Sequence, residues 1–127
     1  MIERVDTPNA PKAVGPYSQA VKAGGFLFMS GMLALSPETG LMVGESAEEQ
    51  ARQIFKNVKA VLDEAGAKME NIVKATVYLE DIKDFAAVNS VYQEAFEGVP
   101  VLPARSAFQV VKLPKDGKVE IEFILAL

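Results

Sequence analysis

The sequence contains no cysteine, no tryptophan and no histidine. Without a thiolate or an imidazole there is no Ser-His-Asp or Cys-His nucleophilic machinery, no zinc site of Cys or His, no Fe–S cluster and no His-ligated haem. Disulfides are excluded too, which fits a reducing compartment. Any catalysis falls to Asp, Glu, Lys, Arg, Tyr, Ser, Thr or backbone groups. Long apolar runs are also missing: nowhere do roughly 18 apolar residues follow one another, as a membrane span requires. Met1 to Lys12 has no apolar stretch of the kind that marks a secretory leader. The reading is therefore of a cytoplasmic protein with no targeting segment. Positive charge is scarce, with 13 Lys and Arg against 17 Asp and Glu and a formal net charge of −4. That balance argues against sequence-independent phosphate binding and leaves nucleic acid only a local patch.

What is present is a chain of 127 residues, 50% hydrophobic and 24% charged, the size and balance of one folded domain over 1–127. Pro8, Asn9, Pro11, Gly15 and Pro16 stand too close together for a helix or central strand, so the N-terminus is expected to be a fixed or wrapping arm. Tyr17–Ala23 and Phe26–Ser30 flank Gly24-Gly25, a pair suited to the positive φ angles of a hairpin turn. Ser36–Gly40 is a second turn, with Leu41–Val43 a short piece able to pair beyond it.

Ser46-Ala47-Glu48-Glu49 is a capping box, and Ala51, Ile54, Phe55, Val58, Val61, Leu62 and Ala65 then recur at helical spacing until Gly66. Asn71–Leu79, apolar on both sides, predicts a central strand. A second helix is expected from Asp81 or Ile82 to Phe96, with Phe85, Val88, Tyr92, Ala95 and Phe96 on one face. Ala104–Leu113 and Lys118–Leu127 read as a closing hairpin across Pro114–Gly117.

Two helices cover one face of such a sheet. In the last strand Val119, Ile121, Phe123, Leu125 and Leu127 form one apolar face, and Ile124 and Ala126 continue an apolar surface on the other. The face without helices is expected to be covered by a second copy of the chain, in a homo-oligomer; the alternative is a monomer whose arm folds across it.

The candidates for chemistry are an arginine and carboxylates inside apolar strands. Arg105 follows Pro103-Ala104, where its forked guanidinium can grip a carboxylate bidentately or serve an ordinary ion pair. Glu120 and Glu122 share one strand face, as a general-base or metal site or as solvated edge positions. In the expected hairpin, Arg105 and Glu120 lie on one face but six positions apart, roughly 20 Å at ~3.3 Å per residue. Either they do unrelated jobs or a site is assembled between subunits. Tyr17, beside Gly15-Pro16, is placed to close over a pocket or to pack as a core or interface aromatic. Ser30-Gly31 allows close approach of a ligand to backbone, or serves simply as a turn.

At these residues the sequence resembles the Rid (YjgF-type) family, and its reactive intermediate deaminase A branch. The carriers span nearly the whole chain: Ala10-Pro11-Lys12-Ala13, Gly15-Pro16-Tyr17-Ser18-Gln19-Ala20, Phe28-Met29-Ser30-Gly31 and Lys74-Ala75-Thr76-Val77-Tyr78-Leu79. They continue with Val88-Asn89 and Tyr92, Pro103-Ala104-Arg105-Ser106, Leu113-Pro114 and Val119-Glu120-Ile121-Glu122. The resemblance implies an α+β, chorismate-mutase-like fold: a mixed β-sheet with two helices on one face, assembled as a homotrimer whose sheets line a central barrel. It implies hydrolysis of 2-imino acids such as 2-iminobutanoate and 2-iminopropanoate to 2-oxo acids and ammonia, in clefts between subunits and without a metal or organic cofactor.

Carried onto this chain, Arg105 would bind the substrate carboxylate and Glu120 would position or activate water. Tyr17 and Ser30-Gly31 would shape the pocket, with Asn89 at its wall. The chain departs from many members of the branch at Ala107, where they carry cysteine, a change that bears on preference among imino acids. The rival class is a non-catalytic module binding 2-oxo acids or other small carboxylates in the same cleft. Members of the family have also been described as ribonucleases, translation inhibitors and chaperone-like proteins.

Overall fold

Ser46 opens the long helix with both halves of its capping box formed: the Glu49 N–H donates to Ser46 Oγ at 3.1 Å and the Ser46 N–H donates to Glu49 Oε1 at 3.2 Å. In the computed structural model, which describes residues 1–127, this helix, α1, runs over Ala47–Ala65 and ends at Gly66 with φ 71°. Ala51, Ile54, Val58, Val61 and Leu62 are buried, the stripe expected from their spacing. Ser46→Ala should lower the stability by about 1 kcal/mol, measured by urea unfolding.

The strands are β1 (Glu3–Val5), β2 (Ala20–Ala23), β3 (Phe26–Met29), β4 (Ile72–Leu79), β5 (Ala104–Gln109) and β6 (Val119–Ala126), and the second helix, α2, is Phe85–Ala95. They form one sheet in the order β1-β2-β3-β6-β4-β5, antiparallel except for the parallel β4–β5 pair. Gly24 and Gly25 turn β2 into β3 with φ 58° and 80°. Leu41–Val43 contributes one isolated bridge, Leu35 to Met42. The arm carries a short edge strand, β1, that its turn-rich sequence did not announce. A 3₁₀ turn over Ile82–Asp84 precedes α2 where one continuous helix was expected.

The closing hairpin is not formed. β5 and β6 do not pair; both pair with β4, which separates them, with β5 parallel and β6 antiparallel to it. Composition explains the arrangement. β6 alternates buried Val119, Ile121, Phe123 and Leu125 with half-buried residues and suits an interior position, whereas β5, with Arg105, Ser106 and Gln109, suits an edge. Helix α2 then becomes the crossover of a parallel βαβ unit. The Val110 N–H still donates to the Leu79 carbonyl at 2.8 Å, after which residues 111–113 leave the sheet, with Val111 fully exposed. A bulge between Ile72 and Lys74 breaks the alternation of β4 and turns Ile72 into the core.

Both helices pack on the sheet face that carries Phe123, whose ring lies 6.0 Å from that of Phe55 and 6.4 Å from that of Phe96. The core joins Leu27, Ala75, Val77, Leu79, Ile121, Phe123 and Leu125 to the apolar stripes of α1 and α2. The opposite face has no helix, and Phe26, Phe28 and Phe108 there stay 43–44% exposed. Three buried amides pin the irregular segments. Gln19 accepts from the Thr7 N–H at 2.8 Å and donates to the carbonyls of Thr7 and Pro11 at 3.0 and 2.9 Å, fixing the arm. Asn57 donates to the carbonyls of Leu33 and Leu35 at 3.2 and 2.9 Å. Gln50 accepts from the Lys118 N–H at 2.9 Å, just before β6. No helix is long and apolar enough to cross a membrane.

Candidate functional site

The register of β4 settles where the two central candidates lie. Arg105 pairs with Ala75, whose side chain faces the helices, while Glu120 pairs with Tyr78 on the open face. Arg105 and Glu120 are thus on opposite faces of the sheet, not on one face as the hairpin implied. Their Cα atoms are three positions apart along β4 and two strand spacings across it, about 14 Å in place of roughly 20 Å. A single chain does not bring both to one small molecule.

Each has its own cleft. The first, of about 1060 Å³, lies between α2 and the segment leading into β5, with Arg105, Asn89, Tyr92, Phe96 and Pro103 in its wall. The Arg105 guanidinium donates to Asn89 Oδ1 at 2.7 Å and lies over two rings, 4.7 Å from the centroid of Tyr92 and 5.4 Å from that of Phe85. It makes no ion pair: Glu94, in the same wall, is taken by Arg52 at 2.8 Å. The cation is held but not neutralised. Ala107 follows two residues on, on the helix side of the strand beside Val77, packed against the core.

Tyr92 is buried, and its hydroxyl has no hydrogen-bond partner. Burial raises its pKa, opposed by the nearby charge of Arg105. Tyr92 and Phe85 were read from the sequence as core residues of the helix. The signal for a second role was their spacing with Asn89: Phe85, Asn89 and Tyr92 are related by four and three residues and so form one stripe of α2.

The second cleft, of about 1120 Å³, gathers Tyr17, Ser30, Gly31, Glu120, Glu122 and Pro114. Met32 bridges to Ile121, which brings the Ser30–Met32 segment alongside β6. Gly31 lies so close to Glu120 that a Cβ there would come within 2.5 Å of Oε2 and 2.9 Å of Cδ. Its lack of a side chain is what lets the carboxylate sit in this position. Ser30 Oγ donates to the Ser18 carbonyl at 2.6 Å, tying β3 to the segment that presents Tyr17. Tyr17 is 52% exposed at the cleft mouth, not a core aromatic.

Burial pushes the Glu120 carboxyl above its ordinary pKa, and the charge of Glu122 pushes in the same direction. Glu122 itself accepts from the Tyr78 hydroxyl at 2.6 Å. That bond, with burial behind it, raises the tyrosine to about 12. Of the two carboxylates, Glu122 is therefore bound up with its neighbour, whereas Glu120 is half-buried, unpaired and poised to accept a proton.

A family model described as Endoribonuclease L-PSP matches residues 7–127. Among curated relatives, the RutC family protein of Aquifex aeolicus is 52% identical, over 97% of this chain and 98% of its own. The 2-iminobutanoate/2-iminopropanoate deaminase of Salmonella typhimurium is 46% identical, over 98% of this chain and 97% of its own. Among solved structures, E. coli TdcF with bound serine superposes with a TM-score of 0.92 at 40% identity, covering 98% of each chain.

Proposed function

The chain belongs to the Rid (YjgF, endoribonuclease L-PSP) family, and we propose that it hydrolyses reactive 2-imino acids such as 2-iminobutanoate and 2-iminopropanoate to 2-oxo acids and ammonia. The observation that carries this reading is the division of the chemistry between two clefts. One holds an un-neutralised arginine and the other an unpaired, half-buried carboxylate with a raised pKa. A planar 2-imino acid needs both: a cation for its carboxylate, and a base for the water that adds to its C=N carbon. The relatives bearing deaminase names support the same reaction.

In this reading three copies pack the open faces of their sheets together, burying Phe26, Phe28 and Phe108. The Arg105 cleft of one copy then meets the Glu120 cleft of the next. Arg105 takes the substrate carboxylate, Asn89 holds the guanidinium, and Ala107 sets the room beside it. Tyr17 closes the mouth. Glu120, kept in place by Gly31 and backed by Ser30, accepts a proton from water as the oxygen adds. Glu120 passes that proton to the nitrogen and then carries the proton of the adduct's hydroxyl the same way, so that the C–N bond breaks, ammonia leaves, the 2-oxo acid remains and the carboxylate is regenerated.

The test is the rate at which imine disappears when an amino acid oxidase generates 2-iminopropanoate or 2-iminobutanoate in situ. Acceleration by the wild-type protein is expected; an unchanged rate would remove the reaction. Sedimentation equilibrium checks the trimer, and a monomer would remove the shared cleft. Gly31→Ala should lower kcat/KM by displacing the Glu120 carboxylate while 2-oxobutanoate still binds, read by single-substrate kinetics and titration calorimetry.

A second reading draws on the serine bound to the solved relative: the cleft as a non-catalytic receptor for small amino or oxo acids. A receptor for a carboxylate gains nothing from a second negative charge beside the ligand, which is why the enzyme is preferred. RNA cleavage is disfavoured by the formal charge of −4 and the absence of histidine.

A further inference from the structure

Arg105 stands on an edge strand, exposed and without an ion pair, where a long side chain is free to sample many rotamers. It nevertheless has three contacts, all from one stripe of α2: Asn89 Oδ1 at 2.7 Å and the rings of Phe85 and Tyr92. One hydrogen bond fixes a single nitrogen and leaves the plane of the guanidinium free to swing about it. Ring contacts restrict that plane, because a delocalised cation stacks flat. Tyr92 is itself buried, 7% exposed, with its ring centroid 4.7 Å from that of Phe96 and 6.0 Å from that of Phe55. Its hydroxyl bonds to nothing. The fold thus carries an unpaired buried hydroxyl whose only neighbouring charge is Arg105, and the ring is the part in use.

We propose that Tyr92 and Phe85 are positioning residues that hold the Arg105 guanidinium with one N–H edge on Asn89 and another turned outward to receive a carboxylate. The inference rests on the reading of Arg105 as the carboxylate anchor. A guanidinium has five N–H donors, so the bond to Asn89 leaves enough for a bidentate grip. The substrate carboxylate keeps its charge throughout the reaction, so an anchor held in place contributes alike to ground and transition states. Its loosening is felt in KM and not in kcat.

The experiment compares wild type with Tyr92→Leu, Phe85→Leu and Tyr92→Phe in the coupled imine assay, with thermal melts run on each. Tyr92→Leu should raise KM about three- to thirtyfold with kcat little changed, Phe85→Leu should raise it less, and Tyr92→Phe should restore the affinity lost in Tyr92→Leu. Tyr92→Phe should also melt higher, since it removes the unpaired hydroxyl. Phe85 is only partly buried, so Phe85→Leu carries the test if Tyr92→Leu fails to fold.

Wild-type KM in both leucine variants would overturn the proposal, as would a fall in kcat as large as the rise in KM. Titration with 2-oxobutanoate separates this from the reaction itself. If wild type binds the oxo acid but consumes no imine, the deaminase reading fails and the same comparison is made from the Kd values. If wild type does neither, both fail.

Discussion

Arg105→Ala is expected to abolish measurable imine hydrolysis. A bidentate carboxylate grip contributes two charge-assisted hydrogen bonds of about 1.5–3 kcal/mol each, so their loss amounts to roughly 100- to 10,000-fold in kcat/KM. The loss should appear in KM, with kcat changed much less, because the substrate carboxylate keeps its charge in ground and transition states alike. Stability should change little. The side chain is exposed on an edge strand and makes no ion pair; its removal leaves an Asn89 oxygen able to turn toward solvent and uncovers one surface of the Phe85 and Tyr92 rings. Sedimentation and thermal melting on the same preparation would show an intact assembly. Full activity in this variant would remove the anchor. Arg105→Lys should rescue poorly, because an ammonium neither stacks on Tyr92 nor forms the planar fork.

Much of this geometry was readable from residues, and the parts that were not share one cause. Helix α1 was legible because its signals are local: a capping box at Ser46 and Glu49, an apolar period, and a left-handed Gly66. The β2–β3 hairpin was legible for the same reason at Gly24-Gly25. What failed was non-local. Pro114-Lys115-Asp116-Gly117 looked like a two-strand turn, and locally it is a tight turn, with Lys115 and Asp116 both at positive φ and the Gly117 N–H donating to the Pro114 carbonyl at 3.1 Å. The strands on either side of it pair with β4 and not with each other.

The information was present, but in composition and not in spacing. The exposed, polar β5 suits an edge, and β6, with a continuous apolar face of Val119, Ile121, Phe123 and Leu125, suits the interior. Misplacing β5 put Arg105 on the wrong face and overstated its distance from Glu120. The conclusion that one chain does not unite the two residues survives on different geometry, since opposite faces separate them more surely than distance along a hairpin. The part of the Arg105 site contributed by Phe85 and Tyr92 was missed because an apolar stripe on a helix is normally spent on the core. Tyr92 does both, with its ring buried and one surface under the guanidinium.

Glu120→Gln should leave 2-oxobutanoate binding in place while slowing hydrolysis about 10²–10⁴-fold, the usual worth of a positioned general base. The pH dependence follows from what surrounds the carboxylate. Burial, then the like charge of Glu122, raises its pKa above 4.5. The base form is present above that raised value, so activity should fall as pH drops through it, at a higher pH than for an unperturbed glutamate. Glu122→Gln removes the repulsion and should move this acid limb downward without removing the base.

The stability consequence has the opposite sign from the catalytic one. A carboxylate whose folded pKa lies above its unfolded value binds its proton more tightly in the native state. When ionised at neutral pH it therefore costs the fold, a cost relieved as the pH falls toward the raised pKa. Glu120→Gln should accordingly melt at a higher temperature than wild type at pH 7, with the gain shrinking toward pH 4. A variant at once more stable and much slower would mark Glu120 as a group kept for chemistry at the expense of folding. Equal melting points and an unchanged rate would make it one more half-buried strand residue.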